Sequence, residues 1–204
     1  MIVLGIDPGP KRCALAWLGF GGAKATVLSA TMVETSDLLD NPVEHIRARD
    51  NGHTPWLISI EWPQYRPIGG RMKPQQSLAM AKSLVETALV AAEVKGRLVE
   101  GGREVVTPTC GQIRKAILGR PSANDAEVKW ALAHFVELPK RSNAHTRDAM
   151  AAATVGIDVW NPRGRQLDVI AEACGHQRRS CFTTQYVESD AELKARLLGR
   201  SLPH

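Results

Sequence analysis

The first nine residues, MIVLGIDPG, constrain this chain more than any other stretch. Ile2, Val3, Leu4 and Ile6 have the branched, apolar character of a buried strand, and Pro8-Gly9 breaks that strand directly after a single acid, Asp7. Asp7 is therefore expected at a strand end, held by a rigid sheet and facing a cleft. Taken alone, an Asp before Pro-Gly also reads as a turn former or helix cap. A second segment repeats the design: Trp56 to Glu61 is an apolar strand that again delivers an acid, Glu61. Two strands ending in carboxylates favour a site over a turn.

With 204 residues, 44% of them hydrophobic, the chain can bury a sizeable core as one domain with an appendage, which excludes a disordered protein. No apolar run approaches the roughly 20 residues of a membrane span. Met1 leads straight into the first strand without a basic or apolar leader, so a soluble, cytoplasmic protein is expected. Lys and Arg outnumber Asp and Glu by 26 to 21, a net charge of +5 that permits a polyanionic partner without requiring one. Cys13, Cys110, Cys174 and Cys181 are scattered. Cys13 lies in an apolar stretch suited to a reduced, buried thiol, and a disulfide framework is not expected.

Cys13 to Phe20 and Thr26 to Val33 read as two strands joined through Gly19, Gly21 and Gly22, a hairpin that extends the first strand. Ser36 to Arg49 reads as a helix capped by Ser36. After the strand at Trp56 to Glu61 comes a Pro-, Gly- and Arg-containing loop from Trp62 to Pro74. The following helix, Gln75 to Glu93, carries Leu78, Ala81, Leu84, Val85, Ala88, Leu89 and Ala92 at helical spacing. Glu104 to Thr107 is a fifth strand, entered through Gly101-Gly102 and stopped by Pro108. Helices follow at Gly111 to Leu118 and at Asn124 to Glu137, where Asn124 and Glu127 form a capping box. The last core helix is Ala144 to Val159, whose alanines from Ala149 to Ala153 let it lie close on a sheet. Residues 165 to 204 show two weak helical stretches without a clear core face.

On that last helix His145 and Asp148 are three apart and share a face. With Asp7 and Glu61 they make four candidate metal ligands. Carboxylates suit Mg²⁺ and Mn²⁺, and a pair of such ions about 3.5–4 Å apart can clamp an in-line phosphoryl displacement. Singly, each residue has a plainer role: Glu61 as a strand end, His145 as a helix-start residue, Asp148 as a partner for Arg147.

The motifs MIVLGIDPG, ISIE at Ile58 to Glu61, QQSLAMAKSLVETAL, TPTCGQIRKAILG and HTRDAMAAATVGI, in this order across residues 1 to 158, resemble the RuvC family of Holliday junction resolvases in the ribonuclease H-like superfamily. The resemblance implies an α/β fold, a ribonuclease H-like mixed five-stranded sheet flanked by helices, over residues 1 to 160. It implies a nuclease that resolves four-way DNA junctions by paired symmetric nicks with Mg²⁺ or Mn²⁺, two ions per site. Asp7 would be the central bridging carboxylate, Glu61 the second ligand and Asp148 the last. His145 falls where many relatives carry Asp and others His, and a nitrogen ligand there favours Mn²⁺ over Mg²⁺.

Two symmetric nicks imply a homodimer, with the Gln75 to Glu93 helix as the interface; branch-migration proteins are further partners of the same kind. Trp62, Tyr65, Arg66, Arg71 and Lys73 lie in a loop that in similar proteins inserts near the crossover, where aromatics stack on unpaired bases and cations meet phosphates. Lys11, Arg12, Arg114, Lys115 and Arg120 would form a phosphate-contacting rim. Related enzymes often place a lysine near the segment Ser122 to Asp125. This chain has Asp125 there, so a lysine-assisted step would come from Lys115 or Lys129.

Two rivals remain at this stage. A junction-binding module of the same fold would lack cleavage, against which all four ligand positions are filled. An actin-like ATPase or kinase would need a second phosphate loop and an adenosine pocket, and 204 residues are short for two lobes. The extension at 161 to 204 falls outside the resemblance. Its Cys174, His176 and Cys181 supply only three zinc ligands at irregular spacing, too few for a structural site, and its Arg178-Arg179 pair is a further candidate DNA contact.

Overall fold

The computed structural model describes residues 1–21, 24–49, 54–64, 74–121 and 124–160. Three strands, β1 (Ile2–Asp7), β2 (Arg12–Gly19) and β3 (Ala25–Glu34), form an antiparallel meander in which Asp7 pairs with Ala14 and Ala14 with Met32. Strand β4 (Leu57–Ile60) joins parallel to β1, and β5 (Val105–Val106) joins parallel to β4. A sixth strand, β6 (Val136–Glu137), pairs parallel with β3, giving the order β5-β4-β1-β2-β3-β6.

The helices are α1 (Thr35–Asp40), α2 (Pro42–Arg49), α3 (Pro74–Glu100), α4 (Cys110–Leu118), α5 (Asp125–Phe135) and α6 (Ala144–Trp160). No helix among the described residues is long and apolar enough to cross a membrane.

Several boundaries correct the sequence reading. The expected helix over Ser36 to Arg49 is two helices, broken at Asn41 because Pro42 cannot continue the first. Ser36 is not its cap; Glu34 occupies that position without a side-chain bond, and Thr35 opens the helix. The buried Thr35 hydroxyl donates to the Gly9 carbonyl at 2.7 Å, which fastens the turn after Asp7. The Gln75 to Glu93 helix continues to Glu100. The helix from Asn124 stops at Phe135, and Val136–Glu137 becomes the sixth strand rather than the last helical turn. Among the described residues the sheet thus has six strands where five were expected. The capping box of Asn124 and Glu127 is present, and Glu127 additionally holds Arg120 at 2.7 Å.

Strand alternation sends side chains to two faces. Leu4, Ile6, Leu15, Trp17, Ile58 and Ile60 pack with Leu38, Ile46, Ala91, Val94 and Leu98 under α1, α2 and α3. Val3, Ala14, Ala16 and Leu57 face α4, α5 and α6. The two acids lie on this second face, because Val3, Gly5 and Asp7 alternate along β1 as Leu57, Ser59 and Glu61 do along β4.

Candidate active site

Asp7 ends β1, and Glu61 follows β4 with its N–H donating to the Ile6 carbonyl at 2.8 Å, so the two acids stand on neighbouring parallel strands. Helix α6 brings the other two groups. His145, Asp148, Ala149, Ala152, Ala153 and Gly156 share one face of that helix. Its small residues let α6 settle on the sheet: a Cβ on Gly5 would fall on the Ala149 carbonyl, and one on Gly156 would meet Ser59. The Ser59 hydroxyl donates to the Ala152 carbonyl at 2.7 Å. His145 and Asp148 are carried over the strand ends by this seating, and His145 Nδ1 lies 2.8 Å from Asp7 Oδ2. The Asp7 side chain is 15% exposed and the His145 ring 67%.

The carboxylates feel one another. Burial, then the charges of Asp7 and Asp148, push Glu61 up to about 8. Burial, then Asp7 and Asp125, push Asp148 up to about 6. Asp7 is raised by burial, opposed by its bond to His145 and the charge of that ring. Such a crowd of acids is strained when ionised and favours a cation among them.

Helix α4 supplies what balances it. Thr109 caps the helix, with the Gln112 N–H donating to its hydroxyl and the Gln112 side chain returning to the Thr109 N–H. Thr109 also bridges to Trp62, and the Trp62 N–H donates to the Pro108 carbonyl at 2.8 Å, so the first turn of α4 lies beside Glu61. The Cys110 thiol donates to the Glu61 carboxylate, and Arg114, one turn on, lowers both Glu61 and Asp148 by its charge. Arg114, expected on a phosphate rim, lies within electrostatic reach of the acids. Cys110 was missed by sequence reasoning, although its position four before Arg114 was a signal.

Among the described residues no three His, Cys, Asp or Glu side chains already stand in an arrangement that encloses an ion. Asp7 Oδ2 is engaged by His145 instead. The donor set nevertheless fits a hard divalent cation: three mutually repelling carboxylates at one spot, with a single imidazole at its exposed side.

The remaining candidates divide. Lys11 and Lys115 are exposed. Arg12 is paired with Glu34 at 2.7 Å. Trp62 is half-buried against the core beneath α3, with the Lys95 ammonium 5.9 Å from its ring centre. Lys129 is exposed on α5, and Asp125 opens that helix. Tyr65, Arg66, Arg71 and Lys73, and with them Ser122, Cys174, His176, Arg178, Arg179 and Cys181, lie outside the described residues. Cys13 is buried and Cys110 half-buried, and neither is in a disulfide among the described residues.

Comparison with known proteins agrees with this fold. Residues 3–156 match the family model described as crossover junction endodeoxyribonuclease RuvC. A relative of that name from Parafrankia sp. is 27% identical over 155 residues, covering 75% of this chain and 84% of the relative. Another, from Mycobacterium ulcerans, is 27% identical over 196 residues, covering 91% of this chain and 97% of its own length. In fold, the chain is similar to the Thermus thermophilus RuvC solved in complex with Holliday junction substrate, with a TM-score of 0.57 and 21% identity over 76% of this chain and 91% of that one. The match to the family model covers most of the chain and includes Asp7, Glu61, His145 and Asp148, and on that ground the chain belongs to the crossover junction endodeoxyribonuclease RuvC family.

Proposed function

We propose that this chain is an endonuclease that resolves Holliday junctions by metal-dependent phosphodiester hydrolysis. The observation that carries the reading is the convergence of Asp7, Glu61 and Asp148, with His145, from two strand ends and the helix seated across them. Asp7, Glu61 and Asp148 would hold two divalent cations, Mg²⁺ or Mn²⁺, with His145 as a further ligand. Such ions polarise a phosphodiester and lower the pKa of water, which makes hydrolysis feasible at neutral pH.

The chain's own residues do the rest. Glu61 and Asp148 must lose their protons before they can ligate, and Arg114 favours that loss by lying within electrostatic reach of both. The Cys110 thiol orients the Glu61 carboxylate. Arg114, Lys115 and Lys11 are assigned to the phosphate backbone. Trp62 packs against the core beneath α3, and stacking on unpaired bases is assigned to Tyr65.

Paired nicks require two centres, and α3 offers the surface for a second copy. Its inner face buries Ala91, Val94 and Leu98, whereas Leu78, Val85, Leu89 and Val99 are exposed on the other side at 73%, 58%, 64% and 52%. With Ala81 and Ala92 these form one apolar stripe, so the same helix serves the core and a homodimer through different faces. Residues 161 to 204 are read as an accessory extension.

Cleavage of duplex, flap, fork and four-way DNA in Mg²⁺ and in Mn²⁺ tests the function. Preferential cutting of the four-way substrate, lost in Asp7→Asn while junction binding is kept, is the expected result. Equal cutting of all four substrates would refute junction selectivity, and an active Asp7→Asn would remove the acidic centre from the chemistry.

A further inference from the structure

A groove of about 490 Å³ opens between the middle of β3 and the loop entering α6, lined by Ala30 to Met32, Lys140 to Asn143, and Thr146. Its lining contains no acid. Lys140 and Arg141 are exposed and have no carboxylate partner among the described residues.

Three acceptors of the loop are already used. The Ser142 carbonyl accepts from the Arg147 guanidinium at 2.7 Å. The Asn143 carbonyl accepts from the Thr146 hydroxyl at 3.1 Å and from the Arg147 N–H at 3.2 Å. Asn143 Oδ1 caps α6 by accepting from the Thr146 N–H at 2.8 Å. What the groove offers a ligand is two cations, the Ser142 hydroxyl and the Asn143 amide N–H groups, a set that suits an oxyanion. The same bonds fix the loop, so little ordering is required on binding.

Sheet register locates the groove against the acids. Asp7 pairs with Ala14 and Ala14 with Met32, so the β3 wall stands two strand spacings, about 10 Å, from the acid on the same face of the sheet. Thr146, on the opposite wall, adjoins His145. Phosphates along one DNA strand rise about 3.4 Å along the helix axis but, winding round it, lie about 6–7 Å apart through space, which sets this groove about one to two phosphates from a scissile one at Asp7.

We propose that the groove between β3 and Lys140 to Asn143 binds the phosphodiester backbone of the DNA substrate, holding phosphates about one to two nucleotides from the cut. This rests on the functional reading above. It assigns Lys140 and Arg141, which the sequence reading left without a role.

The test uses the full-length Asp7→Asn protein as parent and adds Lys140→Ala with Arg141→Ala. Binding to a four-way junction is measured across a salt series, and phosphate ethylation interference maps the contacts. The added changes should weaken binding about tenfold at fixed salt and reduce the slope of log K against log salt by up to about 2, one phosphate contact being worth about 0.9. Interference about one to two phosphates from the cut should disappear in the double variant and persist with Lys140→Arg. An unchanged slope and an unchanged interference pattern would overturn the groove while leaving the function standing. A parent that binds no junction at all would overturn the functional reading, and the groove with it.

Discussion

Gly5 of β1 and Ala149 of α6 touch backbone to backbone, since a Cβ on Gly5 would fall on the Ala149 carbonyl oxygen and lie 2.9 Å from the Ala153 Cβ. This contact sets the site. Asp7 lies two strand residues, about 6.6 Å, beyond Gly5. His145 lies four helical residues, about 6 Å, beyond Ala149 in the same direction. The near-equal rises bring Asp7 and His145 to 2.8 Å. Ser59 and Ala152, hydrogen-bonded at 2.7 Å, relate Glu61 to Asp148 in the same way.

Gly5→Ala should therefore push α6 off the sheet. Overpacking of this kind costs about 1–3 kcal/mol, and more here because the obstacle is backbone that no rotamer change can clear. A lower melting temperature together with loss of cleavage is expected. Wild-type stability and activity in Gly5→Ala would mean that α6 is not held by this contact.

Glu61 makes stability depend on pH in the metal-free protein. Its folded-state value, about 8, exceeds the ordinary 4.5, so between these values the folded state binds a proton that the unfolded chain releases. Stability is then greatest at the acid end of the window and falls as pH rises towards 8, by at most about 1.4 kcal/mol per pH unit. Thermal melts in EDTA from pH 5 to 8.5 should show this decline, and Glu61→Gln should flatten it. Mg²⁺ or Mn²⁺ should raise the melting temperature more at pH 8.5 than at pH 6, because ligation requires the ionised acids.

At His145 the donor atom selects the metal. His145→Asp should keep cleavage and move the preference from Mn²⁺ towards Mg²⁺, as an oxygen replaces a nitrogen. His145→Ala should be the more damaging change. Metal titrations of cleavage compare the three proteins, and identical curves would leave His145 only its contact with Asp7.

Leu89→Glu places a charge in the middle of the exposed stripe of α3 without touching Ala91, Val94 or Leu98. A folded monomer by circular dichroism and sedimentation, able to nick but not to make paired cuts, is expected. If Leu89→Glu sediments as a dimer like the wild type, the interface lies elsewhere.

The alternations Val3, Gly5, Asp7 and Leu57, Ser59, Glu61 were legible in the sequence, as were the box of Asn124 and Glu127 and the small face of α6, because each is a local pattern with a fixed period. Pro42 was also a readable signal, and overlooking it merged two helices. Val136–Glu137 could not be read as a strand, since two residues have no periodicity of their own and their pairing is decided by β3. The thiol on Glu61, the reach of the Arg114 charge to the acids, and the placing of Lys140 and Arg141 beside Met32 likewise join residues far apart in the chain. Sequence determined which elements form and which face each side chain takes, because strand and helix periods are properties of neighbouring residues. Only the tertiary structure decided which side chains meet, because their distances follow from sheet register and from how closely α6 packs on Gly5 and Ser59.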